Sequence, residues 1–312
     1  MSPEVSIIVC TYNRASSLGD FLSRLENHVA ASGLPAEFVL VDNNSSDATP
    51  DILAGFAAKA RVPARIIRES RPGANHARNT GIQHAKAPLL VFTDDDVDFS
   101  DTWLADLVGH MRRHPACQVV TGKIEPRFLA PRPAWLTDGM LGFYGRQDLG
   151  NRPVELEFPV FPVEMNMAIR AAVFQRHGYF STAMGRDHKS LMSNDGKLFF
   201  YKLANSRETI TYIPGASLFH LIPSSRITPE WIIRRYFWQG ISDVVFQNLT
   251  QPGIHLRNIR MAIAEIIKLS NQLRGGHLSP RKIFWNIHGL PVESRAWQAY
   301  RWGTALRRLG LK

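Results

Sequence analysis

A chain of 312 residues with 45% hydrophobic and 21% charged residues can bury a large core, and two lobes are expected rather than one. Its two cysteines, Cys10 and Cys117, exclude a disulfide framework and a cysteine-built metal site, and no stretch reaches the ~20 apolar residues of a membrane span. The net charge of +10 sits at one end: Met1 to Ser225 holds 23 basic and 23 acidic residues, Arg226 to Lys312 holds 14 and 4, and five of the seven tryptophans lie in that second part.

The chain opens on Val5 to Cys10, which reads as a buried strand ending at the polar turn Thr11-Tyr12-Asn13-Arg14, and no signal peptide is expected before it. Ser16 or Ser17 can cap a following helix with Leu18, Phe21, Leu22 and Leu25 on one face. Glu37 to Val41 is a second strand, again running into polar residues, Asp42 to Asp47. A helix over about Pro50 to Ala60, a strand over Ala64 to Glu69 and a helix over Ala74 to Ala85 follow. Leu89 to Thr93 is the fourth strand. Strand alternating with helix at this spacing predicts a parallel, doubly wound sheet with three polar strand ends brought to one rim.

The fourth strand runs directly into Asp94-Asp95-Asp96. In open α/β sheets ligands bind outside the carboxyl ends of the strands, so the position itself suggests a site. Two carboxylates ~4 Å apart repel by roughly 4 kcal/mol at an effective dielectric near 20. Water, protonation or a shared hard cation relieves that repulsion. Further on, Asp101 to Arg113 reads as an amphipathic helix and Val119 to Ile124 as a strand containing Thr121-Gly122. Pro126 to Pro162 shows no periodicity, as a functional loop or flap would. A strand from Met165 to Ile169 follows, then helices over Ala171 to His177 and about Asp195 to Leu203. Short strands are expected at Thr209 to Ile213 and Ala216 to His220.

From Val5 to about Gly240 the chain resembles glycosyltransferase family 2, the inverting sugar-nucleotide transferases of the GT-A fold. The resemblance rests on motifs in the family's order: Thr11-Tyr12-Asn13-Arg14, Val41 to Asp47, Gly73 to Asn79, Asp94-Asp95-Asp96, Asn166-Met167-Ala168, Asn194-Asp195, and Tyr212-Ile213-Pro214 leading to His220. It implies an α/β GT-A fold, Rossmann-like and doubly wound with a mostly parallel sheet, carrying a C-terminal helical extension. The expected division is 1–122 for the nucleotide sugar, 123–225 for acceptor and catalysis, and 226–312 for the extension.

The resemblance also implies roles, each with a plainer alternative. Thr11, Tyr12 and Arg14 would line the donor site, Tyr12 either stacking on the base or plugging the sheet edge. Asp42 would accept from a uracil imide N–H or cap a turn, a task for which Asp47 is better placed. Arg78 would pair with phosphate oxygens or remain a solvated helix charge. Asp94 and Asp95 would serve the ribose side of the motif. Asp96, with Asp94 and possible help from His220, would hold Mn²⁺ or Mg²⁺ against the diphosphate. Asp195 matches the general base that an inverting transfer needs, or caps a helix; Asn194 stands where the family has Glu.

Arg226 to Gly240 resembles the segment after the catalytic core in non-processive, bacterial-type members, and Arg234 or Arg235 would approach the diphosphate or stay solvated. No Gln-x-x-Arg-Trp motif of processive synthases is present, so single-sugar addition is expected. Ile254 to Leu273 is basic and amphipathic, and Lys282 to Arg308 interleaves Trp with Arg. Such segments bind an anionic membrane surface, here 254–312, or fold over the core as a cap. No nucleic-acid-binding signature accompanies the charge.

The expectation is a metal-dependent transferase moving one sugar from a UDP-sugar to a glycan or lipid-linked acceptor, cytoplasmic and peripheral on the inner membrane's cytoplasmic face. Two rivals follow: a nucleotidyltransferase, against which the missing Gly-rich loop argues, and a non-catalytic nucleotide-sugar-binding or membrane scaffold protein. Asp195→Asn separates enzyme from scaffold.

Overall fold

The computed structural model describes residues 2–186, 190–251 and 291–309. The chain forms two compact units: Met1–Arg127, Tyr144–Ala183 and Asp195–Ile222 make the first, and Phe128–Phe143, Met184–Asn194 and Pro223–Lys312 the second.

The first unit starts as the pattern predicts. β1 (Val5–Thr11), α1 (Leu18–Ser32), β2 (Ala36–Asp42), α2 (Thr49–Ala57), β3 (Ala64–Arg68), α3 (Ala74–His84) and β4 (Leu89–Thr93) alternate strand and helix. β1 pairs in parallel with β2 and β4, and β2 with β3. The remaining elements are β5 (Val97–Phe99), α4 (Trp103–Arg113), β6 (Cys117–Phe128), β7 (Val154–Glu155), β8 (Asn166–Arg170), α5 (Ala171–His177), α6 (Lys197–Asn205) and β9 (Thr209–Ile222). Among the described residues nine strands form one mixed sheet, β3-β2-β1-β4-β8-β6-β9-β5, with β7 on β9. β8 runs antiparallel to both β4 and β6, and β9 antiparallel to β5 and β7.

Period-two alternation sends successive side chains to opposite faces. Val5, Ile7 and Val9, Phe38 and Leu40, and Leu89 and Val91 pack on one face with Leu18, Phe21 and Leu22 of α1 and Leu104, Leu107 and Val108 of α4. Ile8, Val39, Val41, Leu90 and Phe92 pack on the other face with Ala77 of α3, Phe174 of α5 and Phe199 of α6. Strands covered on both faces explain why β1, β2 and β4 read as unbroken apolar runs.

Three readings are refined. The two short strands expected near residue 215 are one strand, β9, running through Pro214-Gly215. β6 is twice the length expected, and the aperiodic stretch after it holds a 3-10 turn at Asp138–Tyr144 and the two-residue β7. The helix expected from Asp195 starts at Lys197 with Gly196 as its N-cap residue.

The second unit contains α7 (Pro229–Thr250) and α8 (Val292–Arg308). Thr228 caps α7 by accepting from the Trp231 N–H at 3.2 Å, with Pro229 at the first helical position. The two helices approach backbone to backbone. A Cβ on Gly240 would lie 2.1 Å from the Tyr300 carbonyl oxygen, and one on Gly303 would lie 2.1 Å from that of Phe237. Among the described residues no helix is long and apolar enough to cross a membrane. The amphipathic stretch 254–273 and the Trp/Arg stretch up to residue 290 lie outside the described residues.

Candidate active site

In the first unit, the ends of β1, β2 and β4 carry polar residues to one rim, tied together by short hydrogen bonds. The Asn13 N–H donates to Ser45 Oγ at 2.9 Å, the Arg14 N–H to Thr49 Oγ1 at 2.8 Å, and the Ser46 N–H to Asn13 Oδ1 at 2.8 Å. Asn13 and Asn44 both take left-handed backbone conformations, which Asn tolerates well. Asp47, just before α2, accepts from the Thr49 and Ala15 N–H groups and ties the two strand-end turns together. Tyr12 is exposed at the rim, whereas Thr11 and Asp42 are buried. Asp42 uses one oxygen only: Oδ1 accepts from the Ser45 N–H at 3.0 Å, and Oδ2 is buried with no hydrogen-bond partner. An orphaned acceptor at a strand end is costly in the free protein and suits a ligand N–H.

Asp94, Asp95 and Asp96 leave β4 beside two arginines. Arg14 Nε lies 3.0 Å from Asp95 Oδ1, and its Nη2 donates to Asp96 Oδ2 at 2.6 Å. Burial pushes the Asp95 carboxyl up to about 7, with Arg14 pulling the other way. Burial likewise raises Asp94. His220, on β9 and paired with Val97 of β5, directs Nε2 at Asp96 Oδ1, 3.5 Å away. Its Nδ1 lies 2.6 Å from the Tyr144 carbonyl oxygen, which can only accept, so Nδ1 carries a proton and donates to it, and Nε2 is the ring nitrogen on the Asp96 side.

That arrangement suits a hard divalent cation. A carboxylate oxygen and an imidazole nitrogen converge there, and the hydrogen bond at Nδ1 orients the ring as such bonds do in metal-bound histidines. Among the described residues no group of three or more His, Cys, Asp or Glu side chains is gathered to hold an ion, so diphosphate oxygens and water would have to complete the shell, as is usual for Mg²⁺ at nucleotides.

On α3, Arg78 donates from Nη1 to Asp195 Oδ2 at 2.8 Å and to Asn75 Oδ1 at 3.2 Å, with Nη2 3.9 Å from Asp94 Oδ1. Arg78 is therefore a buried bridge between the acidic triplet and the residue before α6. Burial opposes its charge, but Asp195, Glu164 and Asp94 together hold it firmly protonated. Asn75 anchors the same corner, donating from Nδ2 to the Ser181 and Asp195 carbonyls.

Glu164 belongs to this corner and carries no expectation from sequence. Its carboxyl is buried and pushed up to about 7, first by burial and then by the Asp195 charge. A glutamate at the entry of an otherwise apolar strand was the one available signal.

The second unit contains the remaining candidates. Asn194 has a left-handed backbone, and its amide donates to Asp243 Oδ1 at 2.8 Å and accepts from Gln239 Nε2 at 3.1 Å. Ser193 donates to Gln239 Oε1 at 2.7 Å, and Tyr300 donates to Asp243 Oδ2 at 3.0 Å. Arg235 is buried in the same network, donating to Ser193 Oγ and Gln239 Oε1 and lying over the Phe143 ring. Arg234 is exposed on α7.

Comparisons with known proteins agree with this fold. The model of "Glycosyl transferase family 2" matches residues 6–178. The glucosyl-dolichyl phosphate glucuronosyltransferase of Haloferax volcanii is 23% identical over 272 residues, 87% of this chain and 86% of the relative. Glycosyltransferase AglE of the same organism is 32% identical over 105 residues, and that match spans 33% of each chain. Among solved structures, mannosyltransferase PcManGT from Pyrobaculum calidifontis, in complex with GDP-Man and Mn²⁺, superposes with a TM-score of 0.61. The match is 21% identical and covers 99% of this chain and 88% of that one, a likeness of fold. A sheet with its polar strand ends gathered at one rim, the motifs in order and a family model spanning more than half the residues lead to one conclusion: the chain belongs to glycosyl transferase family 2 and is a glycosyltransferase of the GT-A fold.

Proposed function

We propose that the protein transfers one sugar, with inversion, from a UDP-sugar to a hydroxyl of a glycan or lipid-linked acceptor. The observation that carries the donor assignment is Asp42: one oxygen serves Ser45, and the other is buried without a partner, an acceptor that an imide N–H would satisfy. Tyr12 offers its ring to the base, Thr11 lines the same strand end, and Asp94 and Asp95 face the ribose. Arg14 and Arg78 supply guanidinium groups suited to phosphate oxygens.

Asp96, His220 and Asp94 would hold Mn²⁺ or Mg²⁺, which when bound neutralises the charge that develops on the departing diphosphate. The acceptor hydroxyl gives its proton to Asp195, beside the N-terminal end of α6. Residues 1–122 serve the donor and 123–225 the acceptor.

A lipid-linked acceptor is supported by the relative that acts on a glucosyl-dolichyl phosphate and by the charge of the C-terminal part. On α8, Trp297 is half exposed and shares the helix with Arg301, Arg307 and Arg308. Such a helix suits an anionic membrane surface, which supports a peripheral association on the cytoplasmic side. Arg234, exposed on α7, adds to that charge; Arg235 and Asn194 serve the packing of the second unit.

Calorimetry with UDP, GDP and dTDP, with and without Mn²⁺, tests the donor and metal assignments on the wild type and on Asp96→Ala. UDP binding that needs Mn²⁺ and is lost in Asp96→Ala is expected. Equal binding of all three nucleotides without metal would remove both assignments.

A further inference from the structure

We infer that Arg14 couples the divalent cation to the nucleotide: its guanidinium neutralises Asp96, and a diphosphate must draw it off before that carboxylate serves a cation. The inference rests on the transferase reading above and deepens it by naming what regulates the candidate metal site. Three observations carry it. The first is where Arg14 places its donors. Nη2 donates to Asp96 Oδ2 at 2.6 Å, and Nε lies 3.0 Å from Asp95 Oδ1. The other oxygen of Asp96, Oδ1, lies 3.5 Å from His220 Nε2. A cation held by Asp96 and His220 therefore shares its carboxylate with a guanidinium, and like charges that close repel strongly in a partly buried site. Burial opposes the charge on Arg14, but Asp95, Asp96 and Asp94 together hold it protonated. The repulsion persists unless the side chain turns.

The second observation is that Arg14 is the movable member of the cluster. Its backbone is pinned: the N–H donates to Thr49 Oγ1 at 2.8 Å, and the carbonyl accepts from the Ser17 and Leu18 N–H groups at 3.0 and 2.9 Å. Its side chain is nonetheless 28% exposed, against 12% for Asp96 and 6% for Asp95, so the guanidinium is the outer partner of both ion pairs. Arg78 differs. Its side chain is 10% exposed, and its Nη1 is already engaged by Asp195 and Asn75.

The third observation is unused hydrogen-bonding capacity. A guanidinium carries five N–H groups in a planar fork that matches phosphate oxygens. Nε and Nη2 face Asp95 and Asp96, while Nη1 has no partner among the described residues. A diphosphate engaged through Nη1 competes with Asp96 for the same guanidinium and, unlike Asp96 alone, brings further oxygens that a cation can share. Turning Arg14 onto the diphosphate releases Asp96 Oδ2 from its ion pair and replaces repulsion by attraction. Cation and nucleotide then strengthen each other's binding by the same factor, as linkage requires.

The test measures Mn²⁺ binding by electron paramagnetic resonance of the unbound ion, and UDP binding by calorimetry, each with and without the other ligand. Mn²⁺ held by UDP in buffer is subtracted. The proteins are the wild type, Arg14→Gln, Arg14→Lys, and Arg14→Gln combined with Asp96→Ala. In the wild type UDP tightens Mn²⁺ binding at least about tenfold, and Mn²⁺ tightens UDP binding by the same factor. Arg14→Gln removes the charge, so Mn²⁺ alone binds at least about tenfold tighter than to the wild type, and the coupling falls to about threefold or less. The gain in Mn²⁺ affinity disappears when Asp96→Ala is added, which locates the ion. Arg14→Lys keeps the charge and leaves Mn²⁺ affinity without UDP within about threefold of the wild type. Unchanged Mn²⁺ affinity in a folded Arg14→Gln would overturn the inference. So would equal Mn²⁺ binding by the wild type with and without UDP, a result that needs no variant. No binding of UDP or GDP by the wild type would instead remove the donor reading beneath it, a distinct outcome.

Discussion

Replacing Asp42 by Asn alters one atom and separates folding from binding. In the free protein only Oδ1 is used, accepting from the Ser45 N–H at 3.0 Å. Asn keeps an oxygen for that bond, so the melting temperature should stay within about 2–4 °C of the wild type, a change of no more than ~1 kcal/mol. Nucleotide binding needs both oxygens, because Oδ2 is the buried acceptor left for the base. An amide has one oxygen for two donors, and whichever way it turns one N–H faces another. The loss is a hydrogen bond to a charged acceptor, about 1.5–3 kcal/mol, or roughly 10- to 150-fold in the dissociation constant of UDP. Isothermal calorimetry with UDP and differential scanning calorimetry on the same samples give both numbers. UDP affinity within threefold of wild type would refute the role of Asp42.

Other expectations follow from the same contacts. Arg78→Lys leaves one ammonium where a guanidinium bridges Asp195, Asn75 and Asp94; a fall of several degrees in melting temperature, with weaker nucleotide binding, should appear together by scanning and titration calorimetry. Glu69 is held at about 2 rather than 4.5, chiefly by hydrogen bonds from Arg71 and despite its burial. A depressed carboxylate stabilises the fold above its unfolded value and loses that contribution as pH falls from about 4.5 to 2. Allowing for the exposed guanidinium, about 1–2 kcal/mol is at stake, and Glu69→Gln should flatten the acid limb of a urea-melt series across that window. Gly303→Val would drive a side chain into the Phe237 carbonyl, and a destabilisation of about 1–3 kcal/mol should show as a lower melting transition. An unchanged transition would mean that α7 and α8 do not pack this closely in solution.

The parallel half of the sheet was legible because β1, β2 and β4 are buried on both faces and separated by helices with clear apolar stripes. The antiparallel half was harder. β5 has three residues and no pattern to detect, and Pro214-Gly215 inside β9 reads as a break although the strand continues through it. The gathering of Tyr12, Asp42 and Asp94 followed from strand ends alone. Glu164 did not, since its neighbours Arg78, Asp195 and Gly196 are remote in sequence and only the folded chain brings them together. Asn194 stands beside Asp195 where the family has Glu. Its amide is engaged by Gln239 and Asp243 of α7, contacts no sequence pattern announces, and its left-handed backbone explains why Asn is suited to the position.

The central claim is inverting transfer from a nucleotide sugar, and its most direct measurement is proton NMR of donor turnover. α-Linked UDP-sugars are incubated with the protein and Mn²⁺, with water or a dolichyl-phosphate-linked sugar as acceptor, and the anomeric signal of the first product is read. The account expects a β-configured product and stoichiometric UDP, both lost in Asp195→Asn. An α-configured first product, or donors left intact while UDP binds, would contradict it.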